Sequence, residues 1–127
     1  MLEQMTTHIT KNDMWNENNY AYKKYHSTIN ALMDLVEIWA GNIDSNLQIM
    51  NMFLDLSCAF DCVQHSTLLQ KLQIYKFGPK SLELIESYLK YRTQFVSVSG
   101  RESNYLWNQL GVPQGSILGP FFFNLYV

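Results

Sequence analysis

The feature that most constrains the fold is an almost entirely apolar run, Leu47–Leu54, followed at once by a carboxylate, Asp55. Only Gln48 and Asn51 interrupt the run, and its length predicts a strand buried on both faces at the centre of a sheet. At the end of such a strand a carboxylate is costly to desolvate unless it has a partner. Two interpretations stay open: Asp55 binds a divalent cation such as Mg²⁺, which takes oxygen ligands, or it caps the turn after the strand.

A second feature is a loop rich in glycine and proline, Gly111–Pro120. Glycine permits positive φ and a close backbone approach, whereas proline makes the turn rigid. Within the loop Gln114 offers donors and an acceptor, and Ser116 is placed to cap a following helix. The loop therefore suits either a contact with a nucleotide or nucleic-acid backbone or a purely structural turn. Asp61 suits either a second carboxylate of the Asp55 site or a turn cap, and the turn cap is favoured.

Two further clusters have weaker chemical interpretations. Cys58, Cys62 and His65 share one helical face if their segment is helical, which suits zinc, but no further ligand pair follows and small packed cysteines are favoured. Lys23 and Lys24 lie among tyrosines, an arrangement that can stack bases and contact phosphates but that more simply forms a solvated loop.

Apolar periodicity and turn residues predict four helices and one hairpin elsewhere in the chain. These are a helix over 1–11, a helix capped by Ser27 and ended by Gly41, a helix capped by His65 or Ser66 and ended by Gly78, a helix beginning near Pro79, and strands at 95–98 and 105–109 joined by a turn at 100–103. Helices, a central strand, two helices and then a hairpin indicate an α+β fold, with a small antiparallel sheet packed by helices.

Composition excludes several classes of protein. With 47% hydrophobic residues the chain is not disordered, and its net charge of −2 argues against a free-standing, charge-driven nucleic-acid binder. The two cysteines are too few for a disulfide scaffold, so free thiols in a reducing compartment are expected. No signal pattern or membrane-spanning run is present. We therefore expect an intracellular protein, with nucleus and cytoplasm left open, and no membrane partner.

At this point four segments together resemble one family. Residues 53–61 resemble the first catalytic motif of reverse transcriptases, in the form carried by non-LTR (LINE-type) retrotransposons, and 111–120 resemble that family's Gly-Val-Pro-Gln-Gly-Ser-x-Leu-Gly-Pro motif. Residues 91–96 resemble the hairpin strand between them, and 26–28 resemble the start of the helix after the fingers loop. The similarity covers nearly the whole chain in family order. It implies a partial right-hand polymerase fold, with a fingers-like segment over 1–46 and a palm-like segment over 47–127.

The resemblance also implies site residues. Asp55 matches the palm carboxylate that binds metal, and the Leu56 carbonyl faces the same metal. Four further positions match nucleotide contacts: Phe60 at the 2′-OH, Gln114 and Gly115 near the incoming nucleotide and template, and Lys23 near the triphosphate. The implied chemistry is RNA-directed DNA synthesis by nucleotidyl transfer with two Mg²⁺ ions, and the implied partners are an RNA template, a DNA primer and dNTPs.

Departures from the family pattern lower the expected activity. Ala21 and Tyr25 replace usual glycines and Cys58 a usual lysine, while no Asp follows Asp61, so the aromatic-x-Asp-Asp motif is absent from these residues. We therefore expect a truncated fragment that is inactive alone, with weak or no nucleic-acid binding. The apolar run Phe121–Val127 predicts an exposed patch and self-association. The alternative function is a non-catalytic nucleic-acid- or protein-binding module derived from a retrotransposon.

Overall fold

A computed structural model describes residues 1–127 and contains five helices and two small antiparallel sheets, each of two strands. The helices are α1 (Leu2–Lys11), α2 (Thr28–Asp44), α3 (His65–Ile74), α4 (Pro79–Leu89) and α5 (Leu118–Tyr126). The strands are β1 (Arg92–Gln94), β2 (Ser97–Val98), β3 (Arg101–Glu102) and β4 (Leu106–Asn108). The α+β class predicted from the sequence is confirmed. The chain divides into two compact units, one formed by Met1–Met14 with Cys58–Val127 and the other by Trp15–Ser57.

The first unit contains every buried hydrophobic side chain of the protein. Helix α3 packs against both α4 and α5. The completely buried positions recur at helical spacing, as amphipathic helices require. Within the helices they are Ile9 on α1, Leu68 and Leu72 on α3, Ile85 and Leu89 on α4, and Phe122 on α5, and Val63 just before α3 is also completely buried.

Helix α5 corrects one prediction. The run Phe121–Val127 does not form an exposed apolar patch, because Phe121, Phe122 and Leu125 are buried within the first unit. The sequence does not show this, since a run of seven residues that is apolar almost throughout has no polar face to mark the side that faces solvent.

Helices α2 and α3 are each followed by a residue that adopts a left-handed conformation without being glycine. After α3, Lys76 has φ +59°, its N–H donates to the Gln73 carbonyl, and the N–H of Phe77 donates to the Leu72 carbonyl. This is the Schellman arrangement, which satisfies the last carbonyls of a helix. It ends α3 at Ile74, so the predicted end at Gly78 is wrong.

Helix α2 is followed by the same arrangement. Asn46 has φ +56° and its N–H donates to the Ile43 carbonyl, while the N–H of Leu47 donates to the Asn42 carbonyl. The helix runs through the predicted stop at Gly41, because glycine within a helix costs only about 1 kcal/mol relative to alanine and does not break it. At the other end the predicted cap is confirmed: the Ser27 side chain accepts a hydrogen bond from the Asn30 N–H. For α3, in contrast, the cap position is Gln64 and not His65 or Ser66.

The predicted hairpin is present as a β-ribbon over 92–108. Strand β1 pairs with β4 and β2 pairs with β3, all antiparallel. The turn lies at Ser99 and Gly100, whose φ values of +51° and +78° suit a two-residue turn that matches the twist of the strands. The predicted turn at 100–103 is therefore placed too late, because Ser99 accepts the left-handed conformation without being glycine.

The predicted central strand, Leu47–Leu54, is wrong. The segment has no regular secondary structure and belongs to no sheet, and most of its large apolar side chains, including Met52, Phe53 and Leu54, are exposed. A strand buried on both faces needs a partner strand along each edge. Each sheet of this protein consists of two strands, and all four strands belong to the ribbon, so Leu47–Leu54 is paired with neither sheet.

The second unit has no buried residue. Its one helix, α2, carries apolar side chains that are exposed, among them Ile29, Leu32 and Val36. None of the five helices combines the length and hydropathy needed to cross a membrane.

Candidate functional site

The candidate site of the first unit is built on backbone pairing between two distant segments. The N–H of Gly111 donates to the Val63 carbonyl at 2.8 Å, and the N–H of Val112 donates to the Phe60 carbonyl at 3.0 Å. Next to these bonds Gln64 and Leu110 form an antiparallel bridge. The glycine-rich loop is therefore fixed to the chain just before α3.

Gly111 is required by this pairing. Its φ is +84°, and a Cβ at this position would lie 2.9 Å from the Asp61 Cα and 3.1 Å from the Asp61 carbonyl oxygen. Real Cβ atoms do not approach backbone so closely, so any other residue would push the two segments apart. The sequence-based expectation of a close backbone approach in this loop is confirmed at Gly111.

His65 fixes the loop from the side of α3. The side chain is buried, and its Nε2 lies 2.8 Å from the Gly111 carbonyl oxygen. Because a carbonyl only accepts, Nε2 must carry the proton. Buried polar groups need such partners, and this bond explains why a histidine is tolerated there. Sequence reasoning missed this role, having considered His65 as a helix cap or a zinc ligand.

The Gln114 side chain is held by Asp61. Its Nε2 donates to both carboxylate oxygens of Asp61, at 2.8 and 2.9 Å. Asp61 is therefore a partner of the loop in this structure. At the next position Gly115 has φ +77° and is exposed, so the tip of the loop is accessible.

Ser116 connects the loop to α5. Its hydroxyl donates to the Pro113 carbonyl at 2.7 Å and accepts from the Gly119 N–H at 2.9 Å. The predicted capping role is thus confirmed, because the hydroxyl satisfies a donor in the first turn of the helix.

Phe60 is half-buried and stacks on Phe123 of α5, with ring centroids 4.5 Å apart and ring planes inclined by 29°. Offset aromatic contacts of this kind are worth about 0.5–1.5 kcal/mol beyond the area they bury. The contact fixes the Phe60 ring against the helix that follows the loop. Phe123 was not singled out from the sequence, because three consecutive phenylalanines give no indication of which ring reaches Phe60.

A cleft of about 710 Å³ lies between this loop and the β-ribbon. Its charged lining residues are Asp61 and Arg92, and its amide side chains include Gln94, Asn108 and Gln114. Guanidinium and amide groups offer several hydrogen-bond donors. The cleft is therefore suited to a polar ligand with acceptor groups.

The other predicted site residues belong to the second unit. Asp55 and Leu56 are exposed and directly follow the apolar run Leu47–Leu54. Lys23 is half-buried, and its Nζ donates to the Asn16 carbonyl at 3.2 Å. Near it in sequence the Tyr20 hydroxyl donates to Asp34, and this hydrogen bond raises the pKa of Tyr20 because it stabilises the protonated phenol.

The Asp55 carboxylate and the Leu56 carbonyl are oxygen ligands of the kind that Mg²⁺ prefers, but they are too few to fill its octahedral coordination. A carboxylate and a carbonyl are the oxygen ligands that Mg²⁺ prefers, usually with further carboxylates, phosphates or water. No group of three His, Cys, Asp or Glu side chains is arranged to hold a metal ion in this structure. Neither cysteine forms a disulfide, both are exposed, and the His65 side chain is hydrogen-bonded to the Gly111 carbonyl.

Comparison with known proteins gives a consistent result. A family model described as reverse transcriptase (RNA-dependent DNA polymerase) matches residues 1–127. The RNA-directed DNA polymerase from mobile element jockey of Drosophila melanogaster is 33% identical over 107 residues, which is 84% of this chain and 12% of that protein. No solved structure shows significant similarity to the chain.

Two further relatives come from the same fly. The probable RNA-directed DNA polymerase from transposon X-element is 34% identical over 113 residues, 87% of this chain and 12% of that protein. The probable RNA-directed DNA polymerase from transposon BS is 27% identical over 118 residues, 93% of this chain and 13% of that protein. The chain thus spans about one-eighth of the length of the curated relatives it matches.

The glycine geometry predicts different costs for two substitutions in one loop. Gly115→Ala is expected to lower the free energy of unfolding by about 1–2 kcal/mol, the cost of a left-handed non-glycine residue, since nothing lies within 4 Å of the added Cβ. Gly111→Ala adds overlap with the Asp61 backbone and should cost at least about 1 kcal/mol more. Urea unfolding measures both, and equal losses would contradict the close approach at Gly111.

Proposed function

The chain belongs to the reverse transcriptase (RNA-dependent DNA polymerase) family, and from this premise we propose that it forms part of the catalytic domain of an RNA-directed DNA polymerase of a non-LTR retrotransposon. The observation that carries the proposal is the family match over residues 1–127, which includes both the Asp55 segment and the Gly111–Pro120 loop. The anchored loop gives it physical support, because a loop fixed at both ends holds its tip in one place for a ligand.

Within a right-hand polymerase we assign 1–46 to a fingers-like segment and 47–127 to a palm-like segment. The apolar run Leu47–Leu54 would then become the buried strand that its sequence predicts, once partner strands from the rest of such a polymerase pair with it. Pairing of this kind would also fix Asp55 and Leu56, which directly follow the run.

Asp55 and the Leu56 carbonyl would contribute oxygen ligands to Mg²⁺. When bound, Mg²⁺ ions stabilise charge on the attacking and leaving oxygens of nucleotidyl transfer. The part of this chain in that chemistry is to supply one carboxylate at a fixed position, and the remaining carboxylates would come from the family's aromatic-x-Asp-Asp motif.

Four residues would contact the nucleotide or template. Phe60 would exclude a 2′-OH, a role that its stacking on Phe123 supports because the contact restrains the ring. Gln114 and Gly115 would lie beside the incoming nucleotide and template. The hydrogen bond that Gln114 donates to Asp61 would orient the Gln114 amide. Lys23 would approach the triphosphate with its ammonium group. The partners would be an RNA template, a DNA primer and dNTPs.

We expect only weak nucleic-acid binding by these 127 residues alone, because a net charge of −2 gives little electrostatic attraction to phosphate. An intracellular location, in nucleus or cytoplasm, completes the proposal.

The 127 residues alone should not extend a primer. A single candidate carboxylate cannot assemble two metal sites, and losing ligands should cost several orders of magnitude in rate. A primer-extension assay with Mg²⁺ or Mn²⁺ tests this. Template-dependent dNTP incorporation that is abolished by Asp55→Ala would overturn the prediction.

A chimera tests the role of Asp55 where the rest of a polymerase is present. Residues 1–127 replace the matching segment of the jockey polymerase, and primer extension with Mg²⁺ is compared for the parent chimera, Asp55→Asn and Asp44→Asn. Asp44 is an exposed carboxylate at the end of α2, so its loss should leave the rate unchanged. Asp55→Asn should lower the rate by about 10³-fold or more, with primer–template binding retained. Similar rates for the two variants would refute the assignment.

We also propose that the isolated chain self-associates through the segment 47–56, which is mostly apolar, largely exposed and paired with no strand. Leu54→Lys should shift sedimentation toward the monomer, because a charge opposes strand-to-strand pairing. Ile74→Lys is the matched control, with 74% exposure against 82% for Leu54, and should not change the association state. A wild-type chain that sediments as a monomer would contradict the proposal.

A further inference from the structure

The β-ribbon has an aromatic face to which no metal or nucleotide contact is assigned, although Trp107 of this face also lines the cleft beside the glycine-rich loop. Side chains alternate between the two faces of a strand, and Thr93 pairs with Trp107 in the β1–β4 register. Phe95 directly follows β1 and Tyr105 directly precedes β4, and their ring centroids lie 4.7 Å apart, which continues the register by one pair. Trp107, Tyr105 and Phe95 therefore follow one another along the same face. The opposite face carries Leu106.

These rings are accessible. Trp107 is 66% exposed, Tyr105 59% and Phe95 42%. Tyr105 directly precedes β4 and lies two residues before Trp107, so the two Cα atoms are at most about 7 Å apart. That distance is about twice the 3.4 Å rise per nucleotide of a duplex strand. A nucleic acid that stacks on both rings must therefore have bases that are separated from one another, which an unpaired strand allows without the cost of unstacking a duplex.

A cavity of about 460 Å³ continues this face at the base of the ribbon. Trp107, Tyr91 and Lys90 are among its lining residues. An aromatic ring and an ammonium group side by side match the two parts of a nucleotide, a flat base and a phosphate. The Lys90 ammonium donates to Glu86, and this bond raises the pKa of Lys90, so the lysine stays charged.

The charge of the ribbon differs in sign from that of the whole chain. Residues 92–108 carry two cationic side chains, Arg92 and Arg101, against one carboxylate, Glu102, so their net charge is +1. The whole chain carries −2. Local positive charge favours phosphate contacts, whereas a docking protein would not require it.

We propose that the aromatic face of the ribbon (Phe95, Tyr105 and Trp107) binds single-stranded nucleic acid by base stacking. The inference goes beyond the proposed function, because no residue of this face is among the assigned metal or nucleotide contacts. It holds or fails independently of whether Asp55 binds metal.

The test is fluorescence anisotropy of a labelled oligo(dT) of about 15 nucleotides, titrated with the 127-residue chain at low salt, beside a duplex of the same length. The single strand should bind measurably and the duplex more weakly. Trp107→Ala should weaken single-strand binding by roughly 5- to 150-fold, the range for loss of one stacking ring. Raising the salt concentration should weaken binding of every variant.

Leu106→Ala is the matched control. Leu106 neighbours Trp107 in the same strand, is 63% exposed and lies on the opposite face, so its truncation should leave binding within about twofold. Equal urea midpoints for the two variants establish that folding is unaffected. The proposal is overturned if the single strand does not bind, if the duplex binds as tightly, or if both variants bind alike. Trp107→Ala that changes only self-association would identify the face as a protein contact instead.

Discussion

The backbone pairing between 60–64 and 110–112 determines how the first unit is arranged. It brings together segments that are about fifty residues apart in sequence and attaches the glycine-rich loop to the start of α3. Gly111 makes the pairing sterically possible, and buried His65 satisfies its carbonyl. The Gln114–Asp61 bond, the Phe60–Phe123 stack and the cleft beside the ribbon all depend on this attachment. A loop anchored in this way presents its side chains without first having to order itself, which lowers the cost of binding a ligand.

The second unit has no such backbone pairing between distant segments. Its apolar run Leu47–Leu54 has no partner strand, and its helix α2 has no buried residue, although both carry large apolar side chains. Burying such side chains is worth about 1.5–3 kcal/mol each, so these surfaces have much to gain from a partner. The two parts of the proposed site therefore differ in how firmly they are held. The loop with Gln114 and Gly115 is fixed by contacts within its own unit, whereas Asp55 and Leu56 lie on a segment that needs further strands before it can place a carboxylate.

Sequence reasoning succeeded where the signal is local. The span of α1, the Ser27 cap, the start of α4 at Pro79 and the hairpin depend on neighbouring residues and were predicted. It failed for helix ends at Asn46 and Lys76, because left-handed residues other than glycine leave no clear mark in the sequence. It also failed for Leu47–Leu54, where the apolar pattern is that of a central strand but a strand exists only with its partners. Within the site, the special backbone of the loop was predicted, but the contacts of Asp61, His65 and Phe123 were not.

The sequence by itself determined the family, the α+β class and the positions of the motifs, because these depend on residue identity and short-range periodicity. Tertiary structure alone decided that Asp61 holds Gln114, that His65 supports Gly111, that α5 is buried and that one ribbon face is aromatic and exposed. The physical reason is that hydrogen bonds and close packing between distant segments depend on the path of the chain through space. No local pattern records which of several chemically suitable residues the fold brings within reach.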